Sequence, residues 1–252
     1  MLKIRIIPTL LWNGSELVKG EKFDNQRRIG SVLPAIKVYN MRKVDELILL
    51  DIMATQENRL IDCAQVADFA KECFVPFTVG GGISSIDDIK KILNSGADKV
   101  CINSFAYKDP QFIRQASNYF GKQCIVVSID VLKNSKEDYF CYSNSGKKNT
   151  GINVVEWVKI VEELGAGEIL ITSIDRDGTM QGYDFELIKK ITNLVNIPII
   201  ASGGAANCDD IYEIISKTNI SAVSIASIFN FTEVTPLDIK KYLMVKNIPV
   251  RK

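Results

Sequence analysis

Residues 77–82 (FTVGGG) end an apolar run in a glycine turn, and the pattern returns 122 residues later as residues 199–204 (IIASGG). After one extra residue the match continues from residues 100–104 (VCINS) to residues 223–227 (VSIAS). Each copy has the pattern of a strand, a glycine turn, a helix, a second strand and a small polar turn. The sequence therefore predicts a fold built from two repeated halves.

Apolar runs alternate with helical patterns along the whole chain. The predicted strands are residues 4–11, 46–51, 77–79, 99–103, 124–130, 168–173, 197–201 and 222–225. The predicted helices are residues 31–43, 62–73, 85–95, 109–120, 154–164, 184–195, 209–217 and 236–245. Eight continuous apolar strands, each followed by a helix, indicate a parallel sheet buried on both faces. An open doubly wound sheet would also alternate in this way, but the repeat and the count of eight favour a closed barrel.

The predicted fold class is therefore α/β, a (β/α)8 TIM barrel with a twofold half-barrel repeat. We expect a single domain over residues 1–252, with half-barrels at about 1–121 and 122–252. Two connections are longer than a simple turn. Residues 16–30 (ELVKGEKFDNQRRIG) are polar and basic, which predicts a mobile loop. Residues 133–150 contain YFCY at 139–142, which predicts a small hairpin over the barrel mouth.

Composition restricts the kind of chemistry. A net charge of +1 argues against a nucleic-acid or membrane partner, so an anionic substrate needs a local site. The six cysteines have no C-x-x-C spacing, which favours reduced thiols, and we expect no metal site and no cofactor. Because the chain has no histidine, acid–base chemistry must use carboxylates, Lys, Tyr or Cys. Without a signal peptide or membrane-span pattern, the expected location is cytoplasmic.

Polar residues follow the predicted strands where a barrel places its active site. They are Asp51, the glycines at 80–82, Asn103, Ser104, Asp130, Thr172, Ser173, residues 175–179 and 202–204, Ala226 and Ser227. The two glycine turns can expose backbone N–H groups to two phosphates, although each could simply be a tight turn. Asp51 and Asp130 end apolar runs, so each is a candidate general acid or base, or alternatively a helix cap.

Four charged residues, Arg5, Glu46, Lys99 and Glu168, stand instead at the beginnings of strands. A barrel would bring them together as a ring at its N-terminal face. On charge alone a solvated rim of ion pairs is the favoured interpretation.

Long strings in this chain resemble the HisF family, the cyclase subunits of imidazole glycerol phosphate synthase. They are FTVGGGISSIDDIKKILNSGADKVCINS, QCIVVSID, GAGEILITSIDRDGTMQGYD and IPIIASGGA. The resemblance implies a barrel that binds a bis-phosphorylated ribulosyl-formimino-aminoimidazole-carboxamide nucleotide as its small phosphorylated substrate. It also implies that ammonia arrives through the barrel from a glutaminase, HisH, docked as a heterodimer partner on the N-terminal face.

The resemblance assigns roles by position. One phosphate site matches Gly82, Asn103 and Ser104, and the region of the other matches Asp177, Gly178, Gly203, Gly204, Ala226 and Ser227. The ring of Arg5, Glu46, Lys99 and Glu168 matches the family's ammonia gate, which replaces the interpretation as a solvated rim. Asp98 matches a position at the glutaminase interface, and Lys19 matches the mobile first loop. Asp51 and Thr172 complete the predicted substrate-binding set.

One position departs from the family. The family's first strand ends in Cys-Leu-Asp, and that Asp forms an acid–base pair with the carboxylate that Asp130 matches. Here Leu11 stands in its place. Leucine cannot transfer a proton, so Asp130 is the predicted catalytic residue, with Asp51 or Asp177 as the nearest substitutes for the missing partner. HisF-like paralogues associated with surface-polysaccharide synthesis carry Leu at this point.

Three hypotheses follow. In the first, the chain is a HisF-like subunit that passes ammonia from a HisH-like glutaminase to a sugar amidotransferase, for sugar amidination in surface-polysaccharide synthesis. In the second, it is the histidine-pathway cyclase, which makes imidazole glycerol phosphate and AICAR and uses another carboxylate in place of the missing one. In the third, it is a non-catalytic scaffold that activates the glutaminase.

Overall fold

Eight parallel strands close into a barrel in the computed structural model, which describes residues 3–251. With the strands of the chain numbered in sequence order, the barrel contains β1 (Arg5–Trp12), β4 (Leu47–Asp51), β5 (Phe77–Gly80), β6 (Lys99–Ile102), β7 (Ile125–Lys133), β10 (Glu168–Ser173), β11 (Ile199–Ser202) and β12 (Ala222–Ile225). Neighbours in this order pair in parallel, and the last strand, β12, pairs in parallel with β1, which closes the barrel. The predicted (β/α)8 TIM barrel is confirmed.

Helices surround the barrel where the sequence predicts them. They are α1 (Val32–Met41), α2 (Cys63–Lys71), α3 (Ile86–Asn94), α5 (Gln111–Phe120), α6 (Val154–Glu163), α7 (Phe185–Thr192), α8 (Cys208–Lys217) and α10 (Pro236–Val245). Two short helices, α4 (Ser104–Lys108) and α9 (Ser227–Phe231), follow β6 and β12 at equivalent points of the two halves. Across residues 3–251, none of the helices has the length and apolar character that a membrane span needs.

Several helices begin at a side chain that caps their free backbone N–H groups. Ser85 before α3 and Asn207 before α8 accept from the N–H groups of Asp88 and Asp210. The carboxylates of Asp88 and Asp210 in turn accept backbone N–H groups from the preceding turns. The repeat in the sequence is thus a repeat in hydrogen bonding.

Two hairpins rise from the C-terminal end of the barrel. The first, β2 (Leu17–Glu21) with β3 (Asp24–Gly30), occupies the segment predicted to be a loop, so that prediction is wrong in its secondary structure. β3 pairs only with β2 and is mostly exposed, so it does not need a buried apolar face. Its sequence therefore lacks the apolar alternation by which a strand is usually predicted. The second, β8 (Tyr139–Ser143) with β9 (Lys148–Asn153), confirms the predicted hairpin.

The barrel interior contains a layer of apolar side chains that separates its two ends. This apolar belt consists of Ile7, Ile48, Cys101, Val126, Leu170, Ile200 and Ala222, with Leu50 packed against it. Burial raises the pKa of the Cys101 thiol to about 12, so this residue is neutral and belongs to the apolar layer. Charged residues lie at the strand beginnings below the belt, and a polar cavity opens at the strand ends above it.

Candidate active site

A cavity of about 1000 Å³ occupies the C-terminal mouth of the barrel. Every residue predicted to be catalytic or substrate-binding lines it: Lys19, Asp51, Gly82, Asn103, Ser104, Asp130, Thr172, Asp177, Gly178, Gly203, Gly204, Ala226 and Ser227. Leu11 lines it as well. Residues that are far apart in the sequence therefore share one cavity because parallel strands end at the same face of a barrel.

The two glycine turns lie at the ends of β5 and β11 and need glycine for the same reason. Gly82 has φ +69°, and a Cβ there would lie 1.8 Å from the carbonyl oxygen of Arg59. Gly204 has φ +107°, and a Cβ there would lie 2.1 Å from the carbonyl oxygen of Gly182. Both turns therefore bring backbone close to backbone, beside the starts of α4 and α9. Backbone N–H groups in such turns and at helix starts can bind anions, so the mouth can hold two phosphate groups.

Asp130, at the rim end of β7, has the environment of an acid–base residue. It is 8 % exposed, and Asn103 Nδ2 donates to its Oδ2 at 2.9 Å. Burial raises the pKa of Asp130 to about 7, with the hydrogen bond from Asn103 acting against this rise and the charge of Asp177 adding to it. Near neutral pH the carboxyl is thus populated in both protonation states, which suits a group that gives and takes a proton.

The expected substitutes for the missing carboxylate are both held in ion pairs. Asp51 pairs with Arg59 and also accepts the backbone N–H groups of Met53 and Ala54. Asp177 Oδ2 accepts from Lys19 Nζ at 2.6 Å.

Asp130 differs from both, because it has no ion pair with any cation of residues 3–251. Leu11 lies half-buried in the cavity wall and offers no proton. The geometry therefore favours Asp130 over Asp51 and Asp177 as the carboxyl available for proton transfer.

The first hairpin closes over the mouth through contacts with Asp177 and Gly178. Lys19 is buried in its ion pair with Asp177. The backbone N–H of Lys22 also donates to the Asp177 carbonyl, at 2.7 Å. Gly178 has φ +77°, and a Cβ there would lie 2.2 Å from the carbonyl oxygen of Gly20. These two residues therefore contact the hairpin as well as the cavity, a contact that their match to a phosphate region did not predict.

The four charged residues at the strand beginnings form a closed ring, as the barrel topology predicts. Arg5 Nη1 donates to Glu46 at 2.9 Å and Arg5 Nη2 to Glu168, while Lys99 Nζ donates to Glu46 at 3.0 Å and to Glu168 at 3.1 Å. Burial alone would lower the pKa of Arg5, but the hydrogen bonds and charges of Glu168 and Glu46 raise it. A solvated rim is wrong, because Arg5 and both glutamates are less than a tenth exposed.

Asp98 lies beside this ring on the same face. It is exposed, and its Oδ2 accepts the backbone N–H of Phe77 at 2.8 Å.

The sequence patterns did not predict two parts of the cavity. Arg59, which pairs with Asp51, stands in the connection between β4 and α2 without a motif to mark it. The inward-facing hydroxyls of Thr9 and Ser224 also line the cavity, beside the predicted Ser202. The period-two alternation of a strand could have found Thr9 and Ser224, since each stands two positions after an inward apolar residue.

Comparison with known proteins gives a consistent result. The sequence profile described as "Histidine biosynthesis protein" matches residues 5–235. The chain is 46% identical over 251 residues to the imidazole glycerol phosphate synthase subunit HisF of Natranaerobius thermophilus, covering all of both chains. It is 45% identical to the HisF subunit of Streptococcus mutans, again with full coverage, and 47% identical to that of Dictyoglomus thermophilum, over all of this chain and 99% of the relative.

The family match and the relatives cover the barrel, the charged ring and the cavity together. The chain therefore belongs to the histidine biosynthesis protein family and, within it, to the HisF subunits.

Proposed function

We propose that this chain is the synthase subunit of a glutamine amidotransferase complex and catalyses the imidazole glycerol phosphate synthase cyclase reaction. In this reaction the bis-phosphorylated nucleotide binds across the barrel mouth, and ammonia converts it to imidazole glycerol phosphate and AICAR. The observation that carries the proposal is one cavity in which two glycine turns flank the buried carboxyl of Asp130, which has no counterion among residues 3–251. The names of the relatives support this second hypothesis and give no support to sugar amidination.

Asp130 is the proposed proton-transfer residue. As a carboxylate it takes the proton released when ammonia adds to the substrate carbonyl, and as a carboxylic acid it gives a proton to the oxygen that leaves as water. Its pKa of about 7 allows both steps near neutral pH. Asn103 orients the carboxyl through its hydrogen bond. Because Leu11 supplies no second acid–base group, we expect slower turnover than in relatives with Asp, by about 10²- to 10⁴-fold.

The N-terminal face is the proposed docking surface for the glutaminase. Helices of the barrel run opposite to its strands, so the helix C-termini lie on the face that carries the charged ring. Large apolar side chains project there from the ends of helices: Met41 is 73% exposed, Phe74 79%, Tyr119 66% and Val245 80%. Exposed apolar groups around a central polar ring are typical of a protein–protein interface. Asp98 lies among them as a charged contact.

Docking is tested by size-exclusion chromatography of the chain with a HisH-type glutaminase. Phe74→Lys should abolish the heterodimer, because it puts a charge into the proposed interface. Phe231→Lys is the matched control, since Phe231 is 39% exposed at the end of α9, beside the first hairpin at the opposite end of the barrel. Equal loss with both variants, or with neither, would contradict the proposed surface.

The reaction is tested by incubating the purified chain with the bis-phosphate nucleotide and ammonium, and separately with glutamine and the glutaminase. We expect imidazole glycerol phosphate from both nitrogen sources and a loss of about 10²- to 10⁴-fold in Asp130→Asn. Asp68→Asn, on the exposed side of α2, is the control and should leave turnover unchanged. If Asp130→Asn still activates the glutaminase while neither protein makes product, the chain is a scaffold.

A second function is favoured by Leu11 alone, namely delivery of ammonia to a sugar amidotransferase. The cavity and ring would serve that function equally well, because neither depends on the cyclase step. Turnover of the nucleotide by the unmodified chain would exclude this alternative. Glutamine-dependent amidination of a sugar precursor by the chain, the glutaminase and such an enzyme together would establish it.

A further inference from the structure

Three hydroxyl groups on neighbouring strands form a hydrogen-bonded group in the cavity wall, which we call the hydroxyl cluster: Thr9 of β1, Ser202 of β11 and Ser224 of β12. Thr9 Oγ1 and Ser224 Oγ are 2.6 Å apart, and Ser202 Oγ donates to Ser224 Oγ at 3.1 Å. Thr9 and Ser224 are buried, at 9 % and 3 % exposure, yet all three residues line the cavity. The cluster is therefore fixed by its own bonds and open to a ligand on one side.

The hydroxyl cluster lies directly above the apolar belt. Side chains two positions apart in a strand point to the same face, and each member stands two positions after a belt residue: Ile7, Ile200 and Ala222. Leu11 follows Thr9 by two positions on the same inward face and lines the cavity. A molecule that rises through the barrel thus meets the hydroxyl cluster as its first polar contacts on this wall after the belt.

Counting protons and lone pairs defines what the cluster can bind. Three hydroxyls carry three O–H protons, and the two internal bonds use two of them. Each oxygen has two lone pairs, so four of the six remain to accept hydrogen bonds. The group carries no charge. It therefore suits a small neutral molecule with several N–H bonds better than it suits a cation, which would need a carboxylate partner.

We propose that the hydroxyl cluster is the site that receives neutral ammonia after it crosses the apolar belt. The inference rests on the proposed function only in taking ammonia as the species that passes through the barrel. Ammonia donates its N–H bonds to the hydroxyl oxygens, and its lone pair stays free to attack the substrate above. No proton moves in this step, so the nitrogen remains a nucleophile. Leu11, the nearest inward residue of β1, gives it no proton.

The apolar belt supports this assignment from below. Its side chains offer no charge, so ammonia loses its water and crosses as the neutral molecule. Thr172 and Ser128 place two more hydroxyls in the cavity lining, on β10 and β7. Together these hydroxyls hold ammonia near Asp130 by hydrogen bonds alone, without a carboxylate ion pair that would keep the nitrogen protonated as ammonium.

Binding is tested without turnover by methyl NMR of the complete chain with labelled threonine methyl groups. The probe is hydroxylamine at mildly alkaline pH, where it is uncharged and resembles ammonia in its N–H bonds. We expect a saturable shift of the Thr9 methyl resonance and none at Thr192, a buried threonine of α7 whose hydroxyl donates to the Lys189 carbonyl. Ser224→Ala should weaken the apparent affinity by about 5- to 10-fold. A shift at Thr9 that is not saturable, or is equal in Ser224→Ala, would overturn the proposal.

The kinetic test varies ammonium at saturating nucleotide, and then the nucleotide at saturating ammonium. Thr9→Val should raise the KM for ammonia by about 5- to 10-fold and leave the KM for the nucleotide unchanged, and Thr9→Ser should restore it. Thr192→Val controls for loss of any buried hydroxyl and should change neither constant. An equal rise in both constants would contradict a role in receiving ammonia. If the unmodified chain converts no nucleotide, the proposed function fails, and the hydroxylamine titration still decides this inference.

Discussion

Replacing Asp130 with Asn should stabilise the protein at alkaline pH and leave its stability nearly unchanged at acid pH. The folded chain holds the pKa of Asp130 at about 7, against an ordinary value of 3.8. The folded state therefore binds this proton more tightly than the unfolded state does. As the pH rises above about 4 the unfolded chain ionises first, and the fold loses stability until about pH 7. The difference of about 3 pKa units corresponds to about 4 kcal/mol, an upper bound for a buried group.

Urea unfolding of both proteins at about pH 4.5 and about pH 8.5 measures this contribution. All other titrating groups are shared, so the difference in the free energy of unfolding isolates Asp130. We expect the Asn variant to gain up to about 4 kcal/mol at the higher pH and little at the lower one. Asp68→Asn, which removes an exposed carboxylate of α2, is the control for loss of a surface charge. A gain independent of pH, or a loss at the higher pH, would refute desolvation of Asp130 as the cause of its raised pKa.

Three further predictions concern the frame around the site. Glu168→Gln leaves excess positive charge in the buried ring and should lower the free energy of unfolding by about 3 kcal/mol in urea titrations. An unchanged free energy of unfolding would mean that the ring is solvated. Lys240→Met removes the cation that donates to Asp45 at 2.7 Å and should lower the free energy of unfolding by about 3–5 kcal/mol. Adding Asp45→Asn should recover at least half of this loss. Purely additive effects in the double variant would contradict the pairing. Gly178→Ala places a Cβ against the carbonyl of Gly20, so the first hairpin should open more often and trypsin should cleave it about tenfold faster. Unchanged cleavage would show that the hairpin does not need this close approach.

The barrel was predictable because its signals are local and repeated. Each strand is a continuous apolar run, and the turns at Gly82 and Gly204 recur at one offset, so topology alone brought the predicted cavity residues together. The first hairpin was not predictable in the same way. Its outer strand is exposed and polar, and Lys19, which looks like a solvated loop residue in the sequence, is buried by an ion pair with a residue far along the chain.

The counterions of the charged side chains were the part of the structure that could not be predicted from the sequence. Asp51 and Asp130 look equivalent as carboxylates at the ends of apolar runs, but only the structure gives Asp51 the Arg59 counterion and leaves Asp130 desolvated. The same holds for Lys240, whose burial against Asp45 has no local pattern. The counterion of a buried charged group therefore has to be read from the folded structure.

The most direct test of catalysis by Asp130 is single-turnover conversion of the bis-phosphate nucleotide, with ammonium as the nitrogen source, by the unmodified chain and by Leu11→Asp. We expect the unmodified chain to form imidazole glycerol phosphate through Asp130, and Leu11→Asp to form it faster by about 10²- to 10⁴-fold. Absence of product from the unmodified chain, together with product from Leu11→Asp, would refute catalysis by Asp130 alone, because the cavity would then bind the nucleotide without the means to convert it.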